Sequence, residues 1–348
     1  MKSCPVFSGK TLIGFSGFLT ISMYRPITIN NLTLEGNVFL APTAGYTDRA
    51  FRSICIEHGA DFTYTELVSS EALVRNKAKT EGLLRRGNNE KRYGIQLFGA
   101  DPAAMYRAAS LLAQYGPAVV DINAGCPVPK VVKTGAGSAL MRNPPLLGRI
   151  VSAAARASRE YLADAPVTVK LRSGWDAASI NYYECSRIAA DAGAALVTLH
   201  PRTRSQGYAG TSDWSHLRDL ASRITVPVAG SGDLFAPEDA ERMLRETKCA
   251  AVLFARGALG NPFIFSMTRS FLLTGRYTPP AASERLKTGF RQLLLLSEDI
   301  GERAACREMR KHFCAYTKSI PGGASLRNRL VHAETIEAYR EILAPGCI

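Results

Sequence analysis

Short apolar runs rich in β-branched residues alternate with longer amphipathic segments from residue 37 to about residue 265. The runs are NVFLAP, FTYTEL, YGIQLFG, AVVDINAG, VTVKLRS, LVTLHPR, VPVAGSG and AVLFARG. A strand followed by a helix, repeated eight times, predicts a parallel (β/α)8 barrel of the TIM type. A doubly wound open sheet is the alternative, but the glycine fingerprint that follows its first strand is absent from this sequence.

Polar residues gather where these runs end. In chain order the residues at or near the ends are Pro42, Glu66, Gln96, Asn123, Lys170, His200, Gly230 and Arg256. The active site of a parallel barrel lies at the carboxyl ends of its strands. The sequence therefore predicts that these side chains meet at one mouth of the barrel.

The pattern changes after about residue 280. The segment SERLKTGFRQLLLLSEDIGERAACREMRKHFCAYTKSI has helical periodicity, PGG interrupts it, and ASLRNRLVHAETIEAYREIL resumes it. We therefore expect a catalytic barrel over residues 23–275 and a small all-helical domain over residues 276–348 that carries many arginines and lysines. These basic residues could equally form an ordinary solvated face.

The first 22 residues are interpreted as a loose extension or a mis-assigned start. Residues 11–22, TLIGFSGFLTIS, weakly resemble the apolar part of a signal peptide, but no small-residue cleavage pattern follows. Met23 offers a second start that leads directly into the first strand. No run reaches the roughly 18 apolar residues that a membrane span requires, so no membrane association is expected.

The net charge of +13, with a pI near 9.5, favours a polyanionic partner such as a nucleic acid. The eight cysteines include no C-x-x-C pair, and their spacing fits neither a zinc site nor a disulfide scaffold. Most lie in apolar stretches, as Cys55, Cys185 and Cys249 do, and are interpreted as reduced core thiols. Reduced thiols favour the cytoplasm.

Cys126 has a different setting, because it follows a predicted strand in INAGCPVPK, between a glycine and a proline. On this stretch alone it is a packed filler, a metal ligand, half of a disulfide or a reactive thiol. Lys170 could face an electron-rich cofactor, form a Schiff base or bind a phosphate, because a lysine inside a barrel is costly without a charged partner. His200 could be an acid, a ligand or a core histidine, and no other residue completes a metal site with it.

Glycines follow the last two predicted strands, in AGSGDLFAPEDA and FARGALGNP. The loops after strands seven and eight form the phosphate site of many such barrels, where backbone N–H groups approach an anion closely. The alternative is that these glycines only allow tight turns.

These motifs together resemble the tRNA-dihydrouridine synthases, in particular the DusB-like bacterial branch, from about Met23 to about residue 340. The resemblance rests on APTAGYTDRAFR, INAGCPVPKVVKTGAGSALMRNP, VKLRSGW, HPRTRSQGYAG, GSGD and RGALGNPFIF, in the order that the family has them. It implies an FMN-dependent barrel that reduces uridine in tRNA with NADPH or NADH as electron donor, and a helical tRNA-binding domain. It also implies no metal, and we expect a monomer.

Carried over residue by residue, the resemblance implies a catalytic acid at Cys126 and substrate contacts at Asn123, Arg202 and Arg204. The cofactor contacts that it implies are Pro42, Thr43, Ala44, Gln96, Lys170, His200, Ser231, Gly232, Asp233, Ala255 and Arg256. Thr43, Pro201, Ser231 and Ala255 depart from the usual family residues, and Ser231 in particular lacks an amide that asparagine would supply.

The implied role explains the setting of Cys126. Hydride addition at C6 of uracil requires a proton at C5, and a thiol with a pKa near 8.5 carries that proton at neutral pH. Two alternatives remain at this stage: a flavin barrel that acts on a small pyrimidine, and a non-catalytic RNA-binding protein. Which uridine of a tRNA is reduced does not follow from the sequence.

Overall fold

Eight parallel strands close into a barrel in the structure, a computed structural model that describes residues 22–344 apart from the side chains of residues 77–79. Each strand pairs with its neighbours in chain order, and the last pairs with the first. The predicted (β/α)8 barrel is therefore confirmed. The barrel strands are β3 (Val38–Leu40), β4 (Phe62–Ser69), β5 (Gly94–Phe98), β6 (Val119–Ala124), β7 (Val167–Gly174), β8 (Ala194–Thr203), β9 (Val228–Ser231) and β10 (Ala251–Phe254).

A short hairpin precedes the barrel and was not predicted. Its strands β1 (Ile27–Ile29) and β2 (Leu32–Leu34) are antiparallel. Ile27, Ile29 and Leu34 pack in one cluster with barrel residues such as Phe39 and Phe62. The hairpin thus covers apolar side chains of the barrel interior that would otherwise meet water.

Helices follow the barrel strands and cover the outside of the barrel. Several begin at a side-chain cap that satisfies free backbone N–H groups: Asp48 accepts from Phe51 N and Asp101 accepts from Ala103 N. The helices up to residue 274 are α1 (Arg49–Glu57), α2 (Ser70–Arg75), α3 (Lys77–Leu84), α4 (Pro102–Leu111), α5 (Pro129–Val132), α6 (Pro144–Tyr161), α7 (Tyr182–Asp191), α8 (Trp214–Arg223), α9 (Pro237–Thr247) and α10 (Ile264–Thr274).

Four further helices have an apolar core of their own. It includes Leu293, Met309, Phe313 and Tyr339, all of them buried. Gly301, with φ of 81°, separates the first two helices within the segment of continuous helical periodicity. These helices are α11 (Ala282–Ile300), α12 (Glu302–Tyr316), α13 (Gly323–His332) and α14 (Ile336–Leu343).

The helical domain rests on α1, beside the loop that follows β3. Arg49 of α1 donates from Nε to both carboxylate oxygens of Asp299 at 2.8 Å. The His312 ring lies 5.3 Å from the ring of Tyr46 and 5.4 Å from that of Phe51, centroid to centroid. Burial lowers the pKa of His312 to about 3, so this contact is neutral at physiological pH. The domain therefore borders the β3 side of the barrel mouth.

No helix in the described part of the chain is both long and apolar enough to cross a membrane. Within residues 22–344, no group of three or more His, Cys, Asp or Glu side chains could hold a metal ion.

A buried ion pair joins α1 to the loop before β5, and its loss should destabilise the barrel. Arg52 Nε lies 2.9 Å from Glu90 Oε1, and both side chains are at most 1% exposed. We expect Arg52→Met to lower the free energy of unfolding by about 3–5 kcal/mol, because it leaves the Glu90 charge buried and unpaired. Urea unfolding measures the change. Arg187→Met removes the exposed Arg187–Asp191 pair and should cost less than about 1 kcal/mol. Equal losses in the two variants would contradict this account.

Candidate active site

A cavity of about 420 Å³ opens at the carboxyl ends of the barrel strands. This volume lies within the range of small-molecule and cofactor sites. The residues predicted for the site that line it are Pro42, Thr43, Ala44, Asn123, Cys126, Lys170, His200, Ser231, Gly232, Asp233, Ala255 and Arg256. Gln96, Arg202 and Arg204 are not among the lining residues.

The loop after β6 presents Cys126 at the edge of the cavity. Asn123 Oδ1 accepts from Gly125 N at 3.2 Å and from Cys126 N at 2.9 Å. The carbonyl of Cys126 accepts from Ser138 N at 3.0 Å. A Cβ atom on Gly137 would lie 2.8 Å from that carbonyl oxygen, so the glycine is needed for this contact. The loop therefore fixes both sides of the Cys126 backbone.

The Cys126 thiol is suited to hold a proton. Burial raises its pKa, while the Val128 backbone, Arg172 and Lys170 act in the opposite direction. A thiol with a raised pKa is protonated at neutral pH. Its sulfur is half-buried rather than sealed off, because Cys126 lines the cavity.

Lys170 and Arg172 form a cationic wall on β7. Successive side chains of a strand alternate between faces, so residues two apart share the inner face. Burial, followed by repulsion from Arg172, lowers the pKa of Lys170 to about 8, so most of this lysine is charged at neutral pH. Arg172 donates to Gly125 O at 2.9 Å and to the carbonyl oxygens of Thr203 and Gly207. Arg172 was not predicted as a site residue, although its position two residues after Lys170 in VKLRS was the available signal.

Gln96 lies beneath the cavity instead of in its wall. Its Nε2 donates to Asp121 Oδ2 at 2.6 Å, and its Oε1 accepts from Asn123 Nδ2 at 2.8 Å. The side chain is fully buried. Its predicted contact with the cofactor edge thus competes with two bonds to protein groups.

Arg202 is buried beside the loop that carries Asp233. Its side chain is 2% exposed, and its NH2 group lies 2.7 Å from Asp233 Oδ2 and 2.6 Å from Gly210 O. The predicted substrate contact of Arg202 stays a prediction, and in this structure the side chain is buried and paired with Asp233. It positions one loop of the cavity.

His200 is held neutral in the cavity. Burial, together with the charges of Lys170, Arg172, Arg202 and Arg256, keeps its pKa well below the usual range. A neutral imidazole has one nitrogen that donates a hydrogen bond and one that accepts, so it can bind without adding charge.

The loops after β9 and β10 form a narrow cradle. Gly232 has φ of 105° and Asp233 has φ of 56°. A Cβ atom on Gly232 would lie 2.3 Å from Ser212 Oγ and 2.7 Å from His200 Cδ2. Arg202, Arg256 and Ser212 N all bond to the Asp233 carboxylate, so its charge is offset. Backbone N–H groups and Arg256 can therefore receive an anion here.

Two aromatic side chains that were not predicted as site residues flank the mouth. Tyr208 and Phe235 line the cavity, yet they are 56% and 50% exposed. The guanidinium carbon of Arg256 lies 4.6 Å from the Tyr208 ring centroid and 5.3 Å from that of Phe235. Exposed aromatic rings around a basic group are suited to bind a planar base.

Arg204 lies on the rim, outside the cavity. Its guanidinium carbon lies 4.7 Å from the ring centroid of Trp175, and that of Arg142 lies 4.8 Å from the same centroid. Arg204 Nε is buried and has no hydrogen-bond partner among the described residues. This cluster of Arg142, Trp175 and Arg204 is named the rim cluster below.

Comparisons with known proteins identify the family of this chain. The profile of the dihydrouridine synthase (Dus) family matches residues 39–344, which is most of the chain. The chain belongs to the dihydrouridine synthase family. The predicted family, and with it a flavin-dependent oxidoreductase, is confirmed.

Named relatives cover nearly the whole chain. A probable tRNA-dihydrouridine synthase from Treponema pallidum is 49% identical over 331 residues, which are 94% of this chain and 97% of that protein. The tRNA-dihydrouridine synthase B of Xanthomonas campestris is 35% identical and covers 89% of this chain and 92% of its own length.

Solved structures share the fold at low identity. Histamine dehydrogenase from Rhizobium sp. 4-9 has a TM-score of 0.58 and 12% identity, and covers 79% of this chain and 51% of that one. The old yellow enzyme homologue from Zymomonas mobilis has a TM-score of 0.51 and 13% identity, and covers 76% of this chain and 96% of that one.

The cavity fits a flavin. Apolar side chains such as Leu67 and Leu253 can face its ring, the β7 wall can face its polar edge, and the cradle can receive its phosphate. The described residues therefore supply the three kinds of contact that this cofactor needs.

Adding a side chain at Gly232 in the cradle should weaken flavin binding. Gly232→Ala places a Cβ atom against Ser212 and His200, and overpacking of this kind costs about 1–3 kcal/mol. We expect a lower ratio of flavin to protein absorbance after purification. Gly210→Ala is the matched control, because Gly210 has φ of 63° but no atom within 4 Å of the added Cβ. A similar flavin loss in both variants would show that backbone strain, not the cradle, is responsible.

Proposed function

We propose that the enzyme reduces the C5–C6 double bond of uridine in tRNA, with bound FMN, with NADPH or NADH as electron source and with Cys126 as proton donor. The observation that carries this proposal is the Cys126 thiol, whose pKa is raised by burial and which stands on a fixed loop that lines the cavity. Within this proposal the chain works as a monomer in the cytoplasm. The free cysteines of the described residues agree with a reducing compartment.

The flavin is proposed to lie between the β3 loop and the β9–β10 cradle. Pro42, Thr43 and Ala44 would face its ring, and Lys170 its polar edge. The residues proposed to hold its phosphate are Ser231, Gly232, Asp233, Ala255 and Arg256. When bound and reduced, the flavin supplies the hydride that uracil receives at C6.

Cys126 and the β7 wall act on the uracil. Negative charge builds on the ring as C6 receives hydride, and the cations of Lys170 and Arg172 stabilise that charge in a site partly withdrawn from water. Cys126 Sγ–H gives its proton to C5, which completes the saturated ring. The sulfur then regains a proton from solvent through the open mouth. Asn123 serves this step by holding the loop backbone.

The uridine must leave its stack to reach this cavity. Tyr208 and Phe235 at the mouth offer faces on which a displaced base or its neighbours can stack. Arg256 lies over both rings and adds a positive charge beside them.

The helical domain is proposed to dock the tRNA. Arg303, Arg307 and Arg310 follow a spacing of four and three along α12, so they share one face, and none has an ion-pair partner in the described part of the chain. Lys311 on the same helix is already paired with Glu308, at 2.6 Å, and reaches the mouth residue Tyr46. An unpaired row of arginines beside the mouth is a suitable surface for phosphates.

The rim cluster is proposed to hold the tRNA on the opposite side. In a closed barrel of eight strands, β7 lies four strands from β3 and therefore across the mouth from the helical domain. Arg142 and Arg204 have no acidic partner among the described residues, and Arg204 keeps its Nε unbonded. Contacts on both sides of the mouth would centre one nucleotide over the cavity.

Cys126→Ala should separate the two half-reactions. Flavin binding and its reduction by NADPH need no thiol, so both should stay near wild type. Reoxidation by tRNA should fall about 10²–10⁴-fold, the usual worth of general acid catalysis. Stopped-flow absorbance of the flavin measures both steps. Cys185→Ala, at a buried thiol outside the cavity, is the control and should reoxidise normally. Reoxidation of Cys126→Ala at the wild-type rate would exclude this thiol as the acid.

Neutralising the α12 arginines should weaken tRNA binding. The double variant Arg303→Gln/Arg307→Gln should lower affinity and flatten the slope of log K against log salt by about 0.9 for each phosphate that is no longer neutralised. Filter binding over a salt series measures the slope. Arg149→Gln/Arg156→Gln removes the same charge from exposed positions on α6, at the flank of the barrel, and should change the slope little. If the two double variants behave alike, only net charge matters and α12 is not the docking face.

A further inference from the structure

A chain of hydrogen bonds inside the barrel connects a buried carboxylate to the backbone of Cys126. Asp121 does not line the cavity, and it is 2% exposed. Thr168 Oγ1 donates to Asp121 Oδ1 at 2.6 Å, and Gln96 Nε2 donates to Asp121 Oδ2 at 2.6 Å. Asn123 Nδ2 then donates to Gln96 Oε1 at 2.8 Å, and Cys126 N donates to Asn123 Oδ1 at 2.9 Å.

Strand register brings these groups together. Gln96 on β5 is paired with Asp121 on β6, which is paired with Thr168 on β7. Asn123, two residues after Asp121, lies on the same inner face, one layer nearer the mouth. The chain thus runs from the middle of the barrel to the loop that carries the thiol.

At both ends of this hydrogen-bond chain the donor and acceptor roles are fixed. An ionised carboxylate can only accept, and the backbone N–H groups of Gly125 and Cys126 can only donate. Between them, Gln96 must turn its NH2 group to Asp121 and its oxygen to Asn123. Asn123 must then turn its NH2 group to Gln96 and its oxygen to the loop. A flip of either amide would place two donors or two acceptors in contact inside the barrel.

We propose that Asp121 is a positioning residue, whose carboxylate sets the direction of this hydrogen-bond chain and so holds the Cys126 loop in place. This role depends on the proposed function in one respect, namely that Cys126 is the proton donor. Burial raises the pKa of Asp121 to about 6, against hydrogen bonds from Thr168 and Gln96 and the charge of Lys170. The carboxylate is therefore mostly ionised, and accepts only, at neutral pH.

Two substitutions at Asp121 distinguish the effect of hydrogen-bond direction from the effect of the carboxylate charge. Asp121→Asn removes the charge but keeps the direction, because its oxygen can still accept from Gln96 while its NH2 group donates to the Thr168 hydroxyl. Asp121→Leu has no acceptor, so the Gln96 amide is no longer anchored and both amides can flip. Only the leucine variant should loosen the Cys126 loop.

The test is the rate at which iodoacetamide alkylates Cys126 in the flavin-loaded enzyme without tRNA, followed by peptide mass spectrometry between pH 6.5 and 9. Asp121→Leu should alkylate Cys126 at least threefold faster than wild type, and Asp121→Asn should match wild type. Cys314, an exposed thiol on α12, reports in the same sample and should react alike in all proteins. Wild-type rates in Asp121→Leu, or equal acceleration in the two variants, would overturn the proposal.

Gln96→Met keeps the inference testable if Asp121→Leu does not fold. This substitution removes the hydrogen bond between Gln96 and Asn123 and should accelerate alkylation of Cys126 in the same way. An unchanged rate would contradict the role of the hydrogen-bond chain. Because alkylation needs no RNA, the outcome is independent of whether wild-type enzyme reduces tRNA uridine. Failure of the proposed function would appear instead as a lack of flavin reoxidation by tRNA.

Discussion

Closure of the parallel sheet is the constraint on which the site depends. Val252 and Phe254 of β10 pair with β3, and Ala41 N donates to Phe254 O at 2.8 Å just past the paired residues. Since every strand runs in the same direction, closure brings all eight carboxyl ends to one mouth. Residues far apart in the chain thereby line one cavity, and the edge that an open sheet would expose is absent from the described barrel.

The site concentrates positive charge inside the barrel, and burying that charge costs free energy. Lys170, Arg172 and Arg202 stand on two adjacent strands, and burial lowers the pKa of the first two. Backbone carbonyls and the carboxylates of Asp121 and Asp233 offset much of this cost. A flavin phosphate and a developing anion on uracil would complete the balance, which is why a cationic wall suits this chemistry.

Much of the fold and part of the site could be predicted from the sequence. The eight strands follow from apolar runs at regular spacing. The place of Cys126 at the cavity follows from its position directly after a strand. The β1–β2 hairpin was missed because two strands of three residues give too short a pattern to recognise. Tyr208 and Phe235 were missed because an aromatic residue in a loop gives no sign of where its ring points.

The sequence by itself determined which residues stand at the strand ends, because strand period and direction are local properties of the chain. It also determined the family, since the motifs and their order are properties of the chain alone. Only the tertiary structure decided what those residues bond to. Gln96 is committed to a carboxylate 25 residues away and Arg202 to one 31 residues away. Such partners depend on the register between neighbouring strands and on loop conformation, and a local stretch of sequence determines neither.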